Sequence, residues 1–176
     1  MEQKTETRRL KNLRKYRILD TPEDGCYDEI TSLAAKIFKV PIVIISFVDK
    51  DRIWFKSSVG VTSEEMPRKS GLCSYAILSD DIYIVEDARN DPRTMTNPLV
   101  VGLMGLQFYA AAPLKSKSGH NLGTFCIIDK EPRSLTIQEV IMLRQLSRIV
   151  MEIFEVKFQS RLEVKEFIET ISLTKQ

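Results

Sequence analysis

The chain has 176 residues, 43% of them hydrophobic, which is the size of one domain with one buried core. Its 26 basic and 24 acidic residues are well mixed and leave a formal charge of +2, which argues against a nucleic-acid partner. No run of about 18 apolar residues occurs, and the charged start MEQKTETRRLKN has no apolar signal region behind it, so we expect a cytoplasmic protein with no membrane partner.

The first part of the chain predicts two helices. Residues 5–19 carry one narrow apolar stripe among charged residues, which is typical of a docked or dimerising helix. Residues 20–23, Asp-Thr-Pro-Glu, predict the start of a second helix, with a capping Asp or Thr and a proline near the first helical position. Apolar residues at three-and-four spacing continue this helix to Phe38, and Pro41 closes it.

The middle of the chain predicts a strand pair followed by shorter elements. Residues 42–48 are apolar on both faces, which is typical of a central strand, and residues 53–60 return antiparallel to them. A loop, a short helix, a strand and broken helical turns are predicted next, at residues 61–71, 72–78, 82–87 and 91–99.

Residues 108–129 predict a central hairpin, because both of its strands are mostly apolar on both faces. Residues 116–121 supply the polar turn. Pro113 cannot donate to a strand ladder, so we expect it at a strand end or bulge. The small residues of the hairpin leave room beside it for either a helix or a ligand.

A long helix is predicted after the hairpin. Thr136 and Glu139 form a capping box. Two apolar stripes follow: Leu143, Leu146, Val150, Ile153, Val164, Phe167 and Ile171 on one face, and Val140, Phe154, Phe158 and Leu162 on another. We expect the first half to pack on the sheet, while the second stripe and the far half meet another chain in a homodimer. The alternative is a helix that folds back on its own domain.

The three cysteines, Cys26, Cys73 and Cys126, are odd in number, isolated in sequence and in apolar surroundings. This pattern favours reduced thiols in the core over a disulfide framework or a zinc site. No metal ligand set is therefore expected.

The order of these elements resembles a GAF domain, a small-molecule sensing module of signalling proteins. The motifs resemble the subgroup found N-terminal to diguanylate cyclase and histidine kinase domains, over roughly residues 9–153. They are ILDTP at 18–22, WFK at 54–56 before Val59-Gly60, DPR at 91–93 before Asn97-Pro98, FYAAAPL at 108–114 and GTFCIID at 123–129.

The resemblance implies an α+β fold, in which a central antiparallel sheet has the N- and C-terminal helices on one face. Short helices and loops would enclose a ligand pocket on the other face. The chain would divide into an N-terminal helix at 1–20, a GAF domain at 21–155 and a C-terminal helical extension at 156–176.

This chain departs from the subgroup at two ligand positions. Members often carry Cys-Ala-His-Ala-Ile where this chain has CSYAI at 73–77, and arginine where it has Gln107. Loss of such cations removes charge-assisted hydrogen bonds of about 1.5–3 kcal/mol each, which disfavours a cyclic nucleotide. Ser74 after Cys73 argues against bilin attachment, and the only histidine, His120, lies in a polar turn, which argues against haem.

The resulting hypothesis is a noncatalytic sensor that acts with a signalling output protein and no cofactor that the sequence can name. Its ligand would be a small, mainly neutral or weakly polar molecule between residues 72–78 and the Tyr109 strand. The alternatives are a thiol enzyme like free methionine sulfoxide reductases, and a dimerisation scaffold whose pocket is closed by Trp54, Tyr75 and Tyr109. The candidate ligand-binding residues are Trp54, Cys73, Tyr75, Asp91, Asn97, Gln107 and Tyr109.

Overall fold

A computed structural model of the chain describes residues 3–174, and the side chains of residues 4–171. Its elements in chain order are α1 (Gln3–Lys15), α2 (Gly25–Phe38), β1 (Ile42–Val48), β2 (Arg52–Val59), β3 (Glu65–Pro67), α3 (Cys73–Ala76), β4 (Tyr83–Val85), α4 (Pro98–Val101), β5 (Phe108–Lys115), β6 (Asn121–Asp129) and α5 (Ile137–Thr174). The described strands form one sheet in the order β3-β2-β1-β6-β5-β4, and every neighbouring pair is antiparallel. The α+β class with a central antiparallel sheet is therefore confirmed.

One face of the sheet, the terminal-helix face, is covered by α1, α2 and α5. Phe154 of α5 lies at its centre, with its ring stacked on Tyr27 and edge-on to Phe47, both at 4.8 Å between centroids. Phe158 packs on Tyr16 with the two rings tilted at 46°, at 4.9 Å between centroids. These aromatic contacts bury two of the four residues of the stripe that was expected to meet another chain, so that expectation is wrong for Phe154 and Phe158.

The opposite face, the loop face, is covered by α3, α4 and the irregular segments around them. Alternate residues of the central strands, such as Ile44, Tyr109 and Cys126, form a second core there with Leu72 and Leu106. The central strands thus have apolar side chains on both faces, as the sequence indicates. This layering is the one that the family resemblance implies.

Pro113 lies inside β5, opposite Thr124, and the irregularity in the ladder comes only after Leu114. The prediction of a strand end or bulge at this residue is wrong. Strand β4 pairs β5 only as far as Ala111, so Pro113 has a neighbouring strand on one side alone. A proline is tolerated where the sheet has such an edge.

The second helix begins later than predicted. Its cap is Asp24, whose carboxylate accepts a hydrogen bond from the backbone N–H of Cys26 at 3.3 Å. Asp20 instead has a left-handed backbone, with φ of 59°, and the Thr21 hydroxyl donates to the carbonyl of Ile18. Residues 20–23 are therefore a turn between α1 and α2 rather than a helix start.

Two further details differ from the sequence predictions. The predicted loop at 61–71 contains the short edge strand β3, which has too few residues to show a period. Cys26 is exposed at the start of α2, so it is not a core thiol, whereas Cys73 and Cys126 are buried as expected. All three are free thiols.

Helix α5 starts with the predicted capping box, in which Glu139 accepts from the backbone of Thr136 at 2.8 Å and donates its own backbone N–H to the Thr136 hydroxyl at 3.2 Å. It then runs for 38 residues without a break. Residues 161–171 are exposed, so the alternative of a helix folding back on its domain is wrong for the far half of α5. Among the described residues, no helix combines the length and apolar content that crossing a bilayer requires.

Candidate functional site

A cavity of about 140 Å³ lies on the loop face of the sheet. Its floor comes from the central strands β1, β5 and β6, and its walls come from α3, β3 and the segment around α4. Its lining residues are mostly apolar: Ile44, Phe55, Val61, Ser63, Glu65, Met66, Leu72, Cys73, Leu99, Met104, Leu106, Tyr109, Cys126 and Ile128. Among these described residues Glu65 carries the one charge, and it pairs with Arg52 at 2.5 Å.

Buried polar side chains meet beside the floor of this cavity. The Tyr109 hydroxyl donates to the sulfur of Cys73 at 3.2 Å, and the Ser46 hydroxyl donates to the same sulfur at 3.5 Å. Ser46 also shares a hydrogen bond of 2.9 Å with Thr124, its partner in the β1–β6 register. Each buried hydroxyl thus has a partner, as desolvated polar groups require.

This environment shifts the pKa values of the two buried thiols in opposite directions. Hydrogen bonding with Cys126 lowers the pKa of Cys73 to about 6, assisted by Ser46, Thr124 and Tyr109 and opposed by burial. The same hydrogen bond, together with burial, raises the pKa of Cys126. Burial and the neighbouring sulfurs raise the pKa of Tyr109, which therefore keeps its proton and remains a donor.

The structure brings two of the predicted ligand-binding residues, Cys73 and Tyr109, together in the cavity. Trp54 lies on the opposite face of the sheet, in the core under the terminal helices. Tyr75 is 49% exposed and does not line the cavity. Consecutive strand residues point to opposite faces, so Phe55 lines the cavity while Trp54 points away from it. The alternative in which Trp54, Tyr75 and Tyr109 jointly close the pocket is therefore wrong.

The other three predicted residues have structural contacts instead. Asp91 accepts from the side chain and backbone N–H of Arg93, both at 2.9 Å. Asn97 caps α4 by accepting from the backbone of Leu99 at 2.9 Å, and its amide donates to the carbonyl of Ser70 at 3.1 Å. Gln107 uses its backbone to join β6 to the segment after β4. None of these three lines the cavity.

The sequence analysis missed Ser46, Thr124 and Cys126 as members of the site. A signal was present, because Ser46 and Thr124 are polar residues within apolar strands, and Cys126 follows Thr124 by one strand period. Polar residues in doubly covered strands must find one another or a ligand. Cys73 and Cys126 are isolated in sequence, but the fold brings both into the lining of one cavity.

A larger polar depression, of about 750 Å³, lies beside β2 and α2. The polar groups where it meets the sheet bond to one another: Lys56 donates to the Thr21 hydroxyl at 3.1 Å, and Ser57 donates to Asp28 at 2.6 Å and bonds Thr31 at 2.8 Å. These contacts fasten the 20–23 turn and α2 to the sheet. The smaller cavity is therefore the better candidate site. Within the described part of the chain, no three His, Cys, Asp or Glu side chains are grouped to hold a metal ion.

Comparison with known proteins agrees with this layout. The family model described as GAF domain matches residues 22–153. A cyclic di-GMP phosphodiesterase of Pseudomonas aeruginosa is 42% identical over 135 residues, which are 76% of this chain and 23% of that protein. The chain thus spans about a quarter of the length of this curated relative.

Solved structures share the fold at low identity. The free methionine-R-sulfoxide reductase of Neisseria meningitidis has a TM-score of 0.64 at 16% identity, covering 91% of this chain and 95% of its own. A GAF domain region from Geobacter sulfurreducens has a TM-score of 0.62 at 17% identity, covering 85% of this chain and 97% of its own. At such identities the likeness concerns the fold alone.

Proposed function

Because this chain belongs to the GAF domain family, we propose that it is a sensory and regulatory module that binds a small, mainly apolar molecule in the loop-face cavity. The observation that carries the proposal is the cavity itself, with apolar walls and one buried polar cluster at its floor. This combination is typical of ligand sites, in which apolar contacts supply affinity and a few polar groups fix orientation.

The size of the cavity limits its ligand. An apolar cavity of about 150 Å³ in another protein holds benzene, so the 140 Å³ here suits a molecule of similar bulk. A cyclic nucleotide, with its base, ribose and phosphate, is several times larger. The described residues that line the cavity include no cationic side chain to bind a phosphate, and Glu65, at its wall, is already paired with Arg52. Size and lining thus both support the expectation of a neutral ligand.

The sheet offers a route from the cavity to α5. Tyr109 faces the cavity, and Phe108 beside it faces the terminal helices, where α5 packs on β5. A ligand that changes the position of β5 therefore acts on both layers. We expect the output of the module to be a change at α5.

The exposed end of α5 supports the proposal of a homodimer. Ile149, Val156, Val164 and Phe167 lie on one stripe of the helix, and Phe167 is 65% exposed. Residues 159–174 extend about 24 Å beyond Phe158, the last core contact. A second copy of α5 would bury this stripe in a coiled coil.

The module is proposed to be noncatalytic and to regulate an output protein in the cytoplasm. The identity of 42% to a cyclic di-GMP phosphodiesterase supports a place in cyclic di-GMP signalling. The motif resemblance to the subgroup that precedes diguanylate cyclase and histidine kinase domains supports a regulatory part N-terminal to an output domain. The chain incubated with cyclic di-GMP, or with free methionine-R-sulfoxide and a thiol reductant, should leave both unchanged. Turnover of either compound would identify an enzyme.

Native mass spectrometry of protein purified from its own source tests the sensory proposal. The expected result is a dimer that carries a small organic molecule, released on unfolding. As a control, Val61→Trp would place an indole in the cavity and should yield protein without that molecule. A ligand retained equally by this variant would place the binding site elsewhere.

A further inference from the structure

Three hydroxyls and one thiol are arranged around the sulfur of Cys73. Tyr109 and Ser46 donate to it directly, at 3.2 and 3.5 Å, and Thr124 bonds Ser46 from behind at 2.9 Å. A neutral thiol is a weak acceptor, whereas a thiolate is a strong one. This set of donors is the environment that stabilises a thiolate.

Cys126 lines the same cavity as Cys73 and differs from it in the direction of its pKa shift. Both thiols line the cavity, and their interaction lowers the pKa of Cys73 while it raises that of Cys126. Of the two thiols, Cys73 is therefore the one that ionises more readily, with Cys126 as its protonated neighbour. An anionic sulfur beside a second thiol is the arrangement found at reactive cysteine pairs.

The cavity gives this pair its access to small molecules. Both cysteines line it, although each is at least 95% buried. A volume of about 140 Å³ holds several waters of about 30 Å³ each, so a molecule as small as hydrogen peroxide fits beside the sulfurs. Cys26, in contrast, is exposed and belongs to no such cluster.

We propose that Cys73 is a site of oxidation by hydrogen peroxide or another small hydroperoxide, and that Cys126 converts the product into a disulfide. The Cys73 thiolate attacks one peroxide oxygen, the O–O bond breaks, hydroxide or alkoxide leaves, and Cys73 becomes a sulfenic acid. The Cys126 sulfur then attacks the Cys73 sulfur, the S–O bond breaks, and water leaves. The two thiols supply the two electrons that reduce the peroxide.

This oxidation would join α3 to β6 across the cavity and give the module a redox input. The inference does not depend on the ligand proposal, because peroxide needs only the cavity and the two sulfurs. The residues of this cluster lie in three segments of the sequence: Cys73 in CSYAI, Tyr109 in FYAAAPL, and Thr124 and Cys126 in GTFCIID.

The test uses the full chain with Cys26→Ser, which removes the exposed thiol and keeps the pair. After peroxide treatment and denaturation, maleimide labelling should show both remaining thiols lost together, with an intact mass lower by two hydrogens. Peptide mapping should find Cys73 joined to Cys126. Two thiols that stay free at a peroxide concentration that oxidises a control peptide containing Cys26 would overturn the proposal.

Two variants separate chemistry from folding. Cys126→Ser keeps a hydroxyl in place of the thiol, and dimedone should then label Cys73 as the trapped sulfenic acid. Tyr109→Phe removes one positioning donor and should move the pH midpoint of oxidation upward, which for one pKa unit slows the reaction about twofold at pH 7 and roughly tenfold at pH 5. Tyr83→Phe, next to Tyr109 but outside the cluster, should leave the midpoint unchanged. An absence of dimedone labelling, or an unchanged midpoint in Tyr109→Phe, would contradict the thiolate assignment.

Discussion

The hydroxyl of Tyr16 donates to the carboxylate of Glu155 at 2.5 Å, and both side chains are buried although 139 residues separate them. Glu155 also accepts from the backbone N–H of Lys117 in the β5–β6 turn, at 3.2 Å. Burial and the neighbouring carboxylate raise the pKa of Tyr16, so its hydroxyl remains a donor at any ordinary pH. One carboxylate thus joins α1, α5 and the central hairpin at the point where α5 leaves the domain.

Tyr16→Phe should therefore destabilise the fold by about 1–3 kcal/mol, because it leaves a buried carboxylate with only one donor. Urea unfolding followed by circular dichroism measures the change. Tyr75→Phe removes the same hydroxyl from an exposed ring and should cost less than about 0.5 kcal/mol. Equal effects of the two substitutions would contradict the role given to the Tyr16–Glu155 bond.

Protonation of Glu6 at low pH should destabilise the fold. Its hydrogen bonds with Arg9 and then Arg68, opposed by burial, lower its pKa from 4.5 to about 2. A lowered carboxyl pKa stabilises the folded state above pH 4.5, and this contribution is lost as the pH falls towards 2. Partial exposure reduces it to about 1 kcal/mol.

Glu6→Gln should accordingly lower the free energy of unfolding by about 1 kcal/mol at pH 7, and the difference from the unmodified chain should shrink below pH 4.5. Glu131→Gln, at an exposed position, serves as the control. If the free energy of unfolding of Glu6→Gln stays lower by the same amount down to pH 2.5, packing and not charge would be responsible for the loss of stability.

Gly123 should tolerate no side chain. A Cβ there would lie 1.8 Å from the carbonyl oxygen of Ser46, because β1 and β6 approach closely at this register. Gly123→Ala should destabilise by about 3 kcal/mol or more, since backbone rather than a flexible side chain would have to move. Gly25→Ala, where nothing lies within 4 Å, should be neutral or stabilising by up to about 1 kcal/mol. Thermal unfolding of the two variants makes the comparison.

The sequence predicts the layers of this fold well because its signals are local. The apolar run at 42–48 and the box of Thr136 and Glu139 each specify their own element. The start of α2 was misplaced because the bonds that hold residues 20–23 as a turn come from Lys56, on a strand distant in sequence. No periodicity within the segment reveals such a contact.

The candidate site was predictable only in part, for the same reason. Cys73 and Tyr109 were found through motif resemblance, and the structure places them in contact. Trp54 was misassigned because its residue type alone does not show which face of the sheet its ring occupies. That face depends on the β1–β2 register, which is irregular after Ile45. Ser46 was missed because its role depends on its pairing with Thr124 on the neighbouring strand, which the sequence does not show.

Association through α5 should depend on the far stripe of the helix. Phe167→Asp should convert the proposed dimer into a monomer, because it puts a charge in the seam of the coiled coil. Val101→Asp changes a similarly exposed apolar residue on the loop side and should leave the mass unchanged. Sedimentation equilibrium decides the outcome, and a monomeric unmodified chain at all concentrations would refute the dimer.

The most direct test of the central claim is a thermal-shift titration with benzene, phenol and cyclic GMP. Benzene or phenol at a hundred times its dissociation constant should stabilise the chain by about 2.7 kcal/mol, and cyclic GMP should not. Val61→Trp should fill the cavity and abolish the shift, whereas Val101→Trp, outside it, should keep the shift. Stabilisation by cyclic GMP, or a benzene shift that survives Val61→Trp, would contradict a small apolar ligand in the loop-face cavity.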